Sequence, residues 1–132
     1  MNYIIEALVV GIYTSIIYVI ISPFIKNVYI LLLVVGFFKH LLGYFLNIHT
    51  WYCNNGEACL KLLNKYNNYN AIPTHLIRDS VYDSLMFLFI GSILLTKINN
   101  IPLFFTIGAL LHIISEHLLV HKYFCESSCK VN

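Results

Sequence analysis

Four cysteines and six histidines are the residues with the most chemistry to offer in this 132-residue chain. Two triplets stand out, His49-x3-Cys53-x5-Cys59 and His121-x3-Cys125-x3-Cys129. Each supplies one imidazole nitrogen and two sulfurs, three of the four ligands that a structural zinc takes. Pooled, the six ligands exceed one tetrahedral site and fall short of two. On an oxidising face the same residues would instead close two short disulfides, Cys53–Cys59 and Cys125–Cys129, whereas a cytoplasmic face favours free thiols or a metal. The spacing leaves both readings open. His40 and His112 form a second candidate set, because two facing imidazoles can ligate one b-type haem. Gly36 and Gly108 stand one turn earlier and would leave room for a flat macrocycle. The plainer reading is two packing glycines and two hydrogen-bonded histidines. His49 and His121 fall on the opposite face of a straight helix, nine residues on, so no second haem is expected. The stretch from His112 to His121 contains neither H-E-x-x-H nor H-x-x-E-H, which rejects a metalloprotease.

A third set is an intramembrane polar network of Lys39, Asp79, Asp83, His112 and Glu116. It matters because the chain reads as an integral membrane protein. Hydrophobic residues make up 59% of the sequence and charged residues 11%, and mean hydropathy is +0.76. Ordinary soluble chains carry roughly 25% charged residues. That composition excludes a soluble domain and a disordered tail, and a net charge of +2 supplies no basic patch for nucleic acid. Four segments are long enough to cross a bilayer core, which takes about 20 helical residues. They run over 7–25, 28–48, 76–95 and 101–120. The third carries Arg78, Asp79 and Asp83 in its first half.

Counting from Val28 at a rise of 1.5 Å, Lys39 and His40 lie about 16–18 Å deep, near the midplane. A charge there costs about 2.5–3.5 kcal/mol on insertion scales, so Lys39 needs a partner or a wet cavity. Asp83, about 10 Å into the third segment, is the best partner by depth, with Asp79 and Glu116 as alternatives. The functional reading is a proton or ion path; the plainer one is an ion pair that fixes helix register. His112 and Glu116 are four apart and expected to hydrogen-bond along one helix face.

The connections agree with four spans. Short turns around Lys26-Asn27 and Lys97-Asn100 make two helical hairpins, and Pro102 suits the first turn of the last span. Residues 49–75 form a polar central loop, in which Ala58, Leu62, Leu63 and Tyr66 could line a short interfacial helix. The first span lacks a following small-residue cleavage pattern and is expected to stay in the mature chain. With four spans, the termini and central loop share one side, which carries Lys61, Lys65, Arg78, Lys122 and Lys130. Only Lys26 and Lys97 lie opposite, so the termini are expected in the cytoplasm.

Shifting the chain from Gly36 to Gly108 also aligns His40 with His112, His49 with His121, and Cys53 with Cys125. Trp51/Tyr123 and Tyr52/Phe124 are conservative pairs in the same register. This predicts two helical-hairpin repeats, 1–60 and 73–132, parallel about an axis along the membrane normal.

The segment from Trp51 to Cys59, preceded by Lys39-His40-Leu41-Leu42, resembles short multi-pass membrane proteins of nucleocytoplasmic large DNA viruses. The motif covers about twenty residues, and hydropathy is similar over the chain. The family expectation of an acidic residue four places after the histidine meets Tyr44 here, while the second half keeps Glu116. The resemblance implies a viral membrane protein, and such viruses can make disulfides in the cytoplasm.

The sequence therefore reads as an all-α, four-helix transmembrane bundle, a single membrane domain of two parallel hairpins. Its expected role is non-enzymatic, as a structural or interaction component of a viral or virus-modified membrane. It would contact lipid, itself or other membrane proteins, and no nucleic acid. Gly36, Gly43 and Gly108 would let helices approach closely. The alternatives are a haem- or zinc-binding redox carrier and a proton or ion pathway.

Overall fold

A computed structural model describes residues 2–132. Helix α1 spans Tyr3–Ile21, and its Asn2 cap accepts a hydrogen bond from the Ile4 N–H at 2.7 Å. A 3-10 turn over Ser22–Phe24 contains Pro23 and ends the element. Helix α2, Val28–Phe45, starts on Asn27, whose side chain accepts from the Tyr29 and Ile30 amides. These asparagines serve amide donors that a helix start otherwise leaves unpaired. Short helices α3 (Ile48–Asn55) and α4 (Glu57–Leu62) follow, then strand β1 (Tyr69–Ala71). Helices α5 (Leu76–Leu94), α6 (Asn100–His117) and α7 (Val120–Ser128) complete the helical part, and β2 covers Cys129–Val131. Strand β2 pairs antiparallel with β1, Asn70 opposite Lys130. The chain is mostly helical, as the all-α expectation held, and this two-stranded ribbon is an addition to it.

The long helices do not pack chiefly as sequence-neighbour hairpins. Helix α1 lies along α6 and α2 along α5, far more extensively than α1 on α2 or α5 on α6. Leu32 and Val35 of α2 meet Phe87 and Ile90 of α5, while Ile17 of α1 joins Leu103, Phe104 and Ile107 of α6. Two glycines permit these approaches. A Cβ on Gly36 would come within 2.9 Å of the Asp83 carbonyl and of Phe87, and one on Gly108 would collide with Thr14. Gly43 plays a different part from the helix contact expected of it: it faces the His49 ring.

Helices α2 and α6 break in the same way. Leu46 and Leu118 close them with φ/ψ of −88°/9° and −88°/10°. Asn47 and Leu119 then take left-handed conformations, φ 61° and φ 62°, before α3 and α7 begin. The axis turns by 79° between α6 and α7. Tyr66 is exposed outside α4, so the expected interfacial helix face is shorter than Ala58 to Tyr66.

Among the described residues two helices are long and apolar enough to cross a membrane, Tyr3–Phe24 (with its 3-10 turn) and Val28–Phe45, and a third if α6 and α7 count as one bent span. Helix α5 has the length but carries Arg78, Asp79 and Asp83.

Leucine gains nothing from a positive φ, which asparagine tolerates at lower cost. Leu119→Asn is therefore expected to stabilise the protein by about 1 kcal/mol, raising Tm by roughly 4 °C in a thermal melt. An unchanged or lower Tm would mean the exposed leucine has a partner that outweighs the strain.

Candidate functional site

The breaks at Asn47 and Leu119 build the site. A straight helix would send His49 and His121 to the face opposite His40 and His112. The left-handed residue instead folds α3 and α7 back over the helix ends. The ring of His49 comes to 4.8 Å from His40, and that of His121 to 4.3 Å from His112. The opposite-face expectation is corrected, because it presumed an unbroken helix.

Each inner histidine has an acid on the helix packed against its own. Asp83 Oδ2 of α5 receives the Lys39 ammonium at 3.0 Å and lies 3.6 Å from His40 Nδ1. Glu6 Oε2 of α1 lies 3.2 Å from His112 Nε2, with both side chains buried. The structure thus brings Lys39 and Asp83 together, while Asp79 pairs with Arg78 at 3.1 Å. Glu116 reaches His121 Nδ1 at 2.9 Å, so the expected His112–Glu116 bond along one face is replaced by two separate pairs. Glu6 bounded the first span in the sequence and was not singled out. Its signal was depth: three residues into α1 at the loop end, it lies level with His112, five residues before the end of α6.

Glu6 also ties the loop to the bundle. Its Oε1 accepts from the Glu57 amide at 2.8 Å, and the Glu57 carboxylate accepts from the Tyr3 amide at 2.8 Å. Two helix starts, α1 and α4, satisfy each other's free donors through this exchange. Asn54 does similar work at β1. Its side chain accepts from the Tyr69 N–H at 3.0 Å and donates to the Tyr69 carbonyl at 2.9 Å, in place of a third strand.

The cysteines pair across the chain. Cys53 bonds Cys129 and Cys59 bonds Cys125, over sequence separations of 76 and 66 residues. This corrects the short bridges Cys53–Cys59 and Cys125–Cys129. Sequence spacing favoured neighbours, but the β1–β2 ribbon and the contact of α4 with α7 bring the distant partners within reach. All four sulfur residues are buried with Tyr69 in a small second core. One bridge closing a loop of that length stabilises by ~4 kcal/mol on the chain-entropy account.

Oxidised in this way, Cys53, Cys59, Cys125 and Cys129 present no thiolates, and His49 and His121 are turned inward onto other rings. Among the described residues no group of three or more metal-ligating side chains converges. The haem set fits no better. His112 directs Nε2 at Glu6, and no ring contact joins His40 to His112 among the described residues. The chemistry that the arrangement does offer is proton exchange and hydrogen bonding inside a cavity of about 600 Å³, which His40, His49, His112 and His121 line together.

His49 and His121 lie on the short helices α3 and α7, past the ends of α2 and α6. Burial first, then the nearby His40 and Lys39, lowers His49 to about 3. Burial first, then His112 and Lys39, lowers His121 to about 3. Asp83 near His49, and Glu6 and Asp83 near His121, oppose these shifts without cancelling them. Both rings are therefore held neutral in the fold, while unfolded histidine titrates near 6.5. Their contribution is complete above about pH 6.5 and is lost as pH falls toward 3, by about 1.4 kcal/mol per pH unit for each ring. The Tm should drop between pH 7.5 and pH 5, and His49→Gln with His121→Gln should flatten that drop. A pH-independent Tm would contradict the buried neutral state. Peptide mapping without reductant should recover Cys53 joined to Cys129 and Cys59 to Cys125; bridges within either triplet would contradict the cross-pairing. The reading rests on the chain's own geometry, since no family model, curated protein or solved structure matches it.

Proposed function

We propose that this is a non-enzymatic, four-span membrane protein of two parallel hairpins, a structural or interaction component of a viral or virus-modified membrane. The observation that carries the four-span reading is the way α5 disposes its polar and apolar residues. Asp83 turns inward to Lys39, while Ile77, Val81, Leu85, Phe89 and Ile93, four apart in sequence, stand exposed on the outside. In water that stripe would be costly; in lipid it is the surface a span requires, with its charge paired inside. Helix α1 has the same outward pattern in Ile4, Leu8, Ile12, Ile16 and Ile20. The matching bounds and breaks of α2 and α6 support the two-unit reading.

A structural role is supported by where the interactions go. The Lys39–Asp83 and Glu6–His112 pairs and both disulfides join the first half of the chain to the second, and the Glu6–Glu57 and Glu57–Tyr3 bonds tie the loop-side cap to the bundle. The cap and both termini share one face, and the excess of Lys and Arg on that face favours the cytoplasm. Two disulfides there agree with a virus that oxidises its own membrane proteins in that compartment, as the motif resemblance implies. Self-association or contact with other membrane proteins would use the exposed apolar stripes.

Asp83→Leu alone leaves the part-buried Lys39 without its counter-charge and should cost about 3 kcal/mol. Adding Lys39→Met should restore most of the Tm, membrane integration and oligomeric state, because a scaffold needs the packing and not the charges. A planar-bilayer current in the parent that disappears in the folded double variant would overturn the structural reading in favour of an ion path.

A further inference from the structure

The cavity of about 600 Å³ is bounded inside by a charged wall and outside by apolar residues that are themselves exposed. Its inner wall contains Lys39, His40 and Asp83; the Lys39 and Asp83 side chains keep 17% and 19% of their surface accessible. Its outer rim is formed by Tyr82, Leu85 and Met86 on α5 and by Leu118 and Val120 where α6 turns into α7, all of them exposed. Helices α5 and α6 pack mainly against α2 and α1 and only slightly against each other, so the rim is a slot between two weakly joined helices. If both helices span the bilayer, as the reading above holds, this slot opens sideways to lipid, below the cap made by α3 and α7.

We propose that the slot admits an uncharged lipid whose hydroxyl head group binds the Lys39–Asp83 wall. The wall selects for charge: the ammonium and the carboxylate neutralise each other at 3.0 Å, and Asp79, which also lines the cavity, is paired with Arg78 at 3.1 Å. An anionic head would meet Asp83 and a cationic head Lys39, each at close range in a poorly screened setting. The wall also selects for hydrogen bonding. An ammonium has three donors, of which Asp83 takes one, and a carboxylate has lone pairs beyond those in the ion pair. A hydroxyl accepts from the first and donates to the second, whereas an ester carbonyl can only accept. The apolar rim then takes the head of an acyl or isoprenoid tail that continues into the bilayer. An occupant of this kind supplies the polar contacts that accessible charges in the membrane interior require.

The test uses the full-length protein in phosphatidylcholine nanodiscs with a photoactivatable 1-monoacylglycerol. Labelling is expected to concentrate in residues 79–86 and 111–124. Unlabelled 1-monooleoylglycerol should compete about tenfold better than methyl oleate, which has the same chain and no hydroxyl. Met86→Trp, at an exposed rim position, should reduce labelling about fivefold by narrowing the slot. Equal competition by the two oleates, or labelling spread evenly over the outward stripes, overturns the site and leaves a water-filled cavity. A photoactivatable phosphatidylcholine separates the two readings. If it labels the outer face of α5 while the monoacylglycerol shows no preference, the lipid site fails and the span stands. If it leaves α5 unlabelled, both fail.

Discussion

A carboxylate placed halfway along an apolar helix must find a cation, and Asp83 finds Lys39 at 3.0 Å. Much of the architecture follows from that requirement. The pair sets α5 against α2, with Gly36 allowing the α5 backbone to come close enough for the contact. The outward stripe of α5, from Ile77 through Val81, Leu85 and Phe89 to Ile93, is apolar, while Arg78 and Asp79 pair with each other in its first turn. Glu6 and His112 make a corresponding contact between α1 and α6, close to where Gly108 admits Thr14. Two helix pairs, each drawn together at a small residue and held by an acid on its inner face, form the core.

The cap depends on a different physical device. One residue at positive φ redirects each of α2 and α6, and the redirected segments bring Cys53 and Cys125 in over the bundle. Disulfides across long separations remove much of the unfolded chain's freedom, which suits a small cap with little core of its own. His49 and His121 give this cap a cost on acidification, because burial holds those two rings neutral. The cap and the bundle are therefore coupled, through Glu6 and the exchanged amide bonds with Glu57 and Tyr3.

Much of the helical layout could be read from the residues. Long apolar runs and short turns located α1, α2, α5 and α6 to within a few residues, since helix length and bilayer thickness are both fixed quantities. Depth alone matched Lys39 with Asp83. The cap was much less legible. Nothing local marks Leu119 as a left-handed residue, and without that break His121 is assigned to the wrong side of α6. The disulfide partners are set by a three-residue ribbon whose strands lie 60 positions apart (Asn70 and Lys130), a contact that periodicity does not encode. Gly43 looked like its neighbours Gly36 and Gly108, yet it makes room for a ring that only the break delivers.

The central claim is that α5 and α6 cross the bilayer as a hairpin parallel to α1 and α2. Its most direct measurement is the sidedness of the two short turns. Epitopes placed separately in the Lys26-Asn27 turn and the Lys97-Asn100 turn, and at the C-terminus, can be probed with antibody in sealed vesicles. The account predicts that both turns lie on one side and the C-terminus on the other. A tag at Lys97-Asn100 on the same side as the C-terminus would contradict it, leaving α6 on the membrane surface and the charges of α5 to be explained in water.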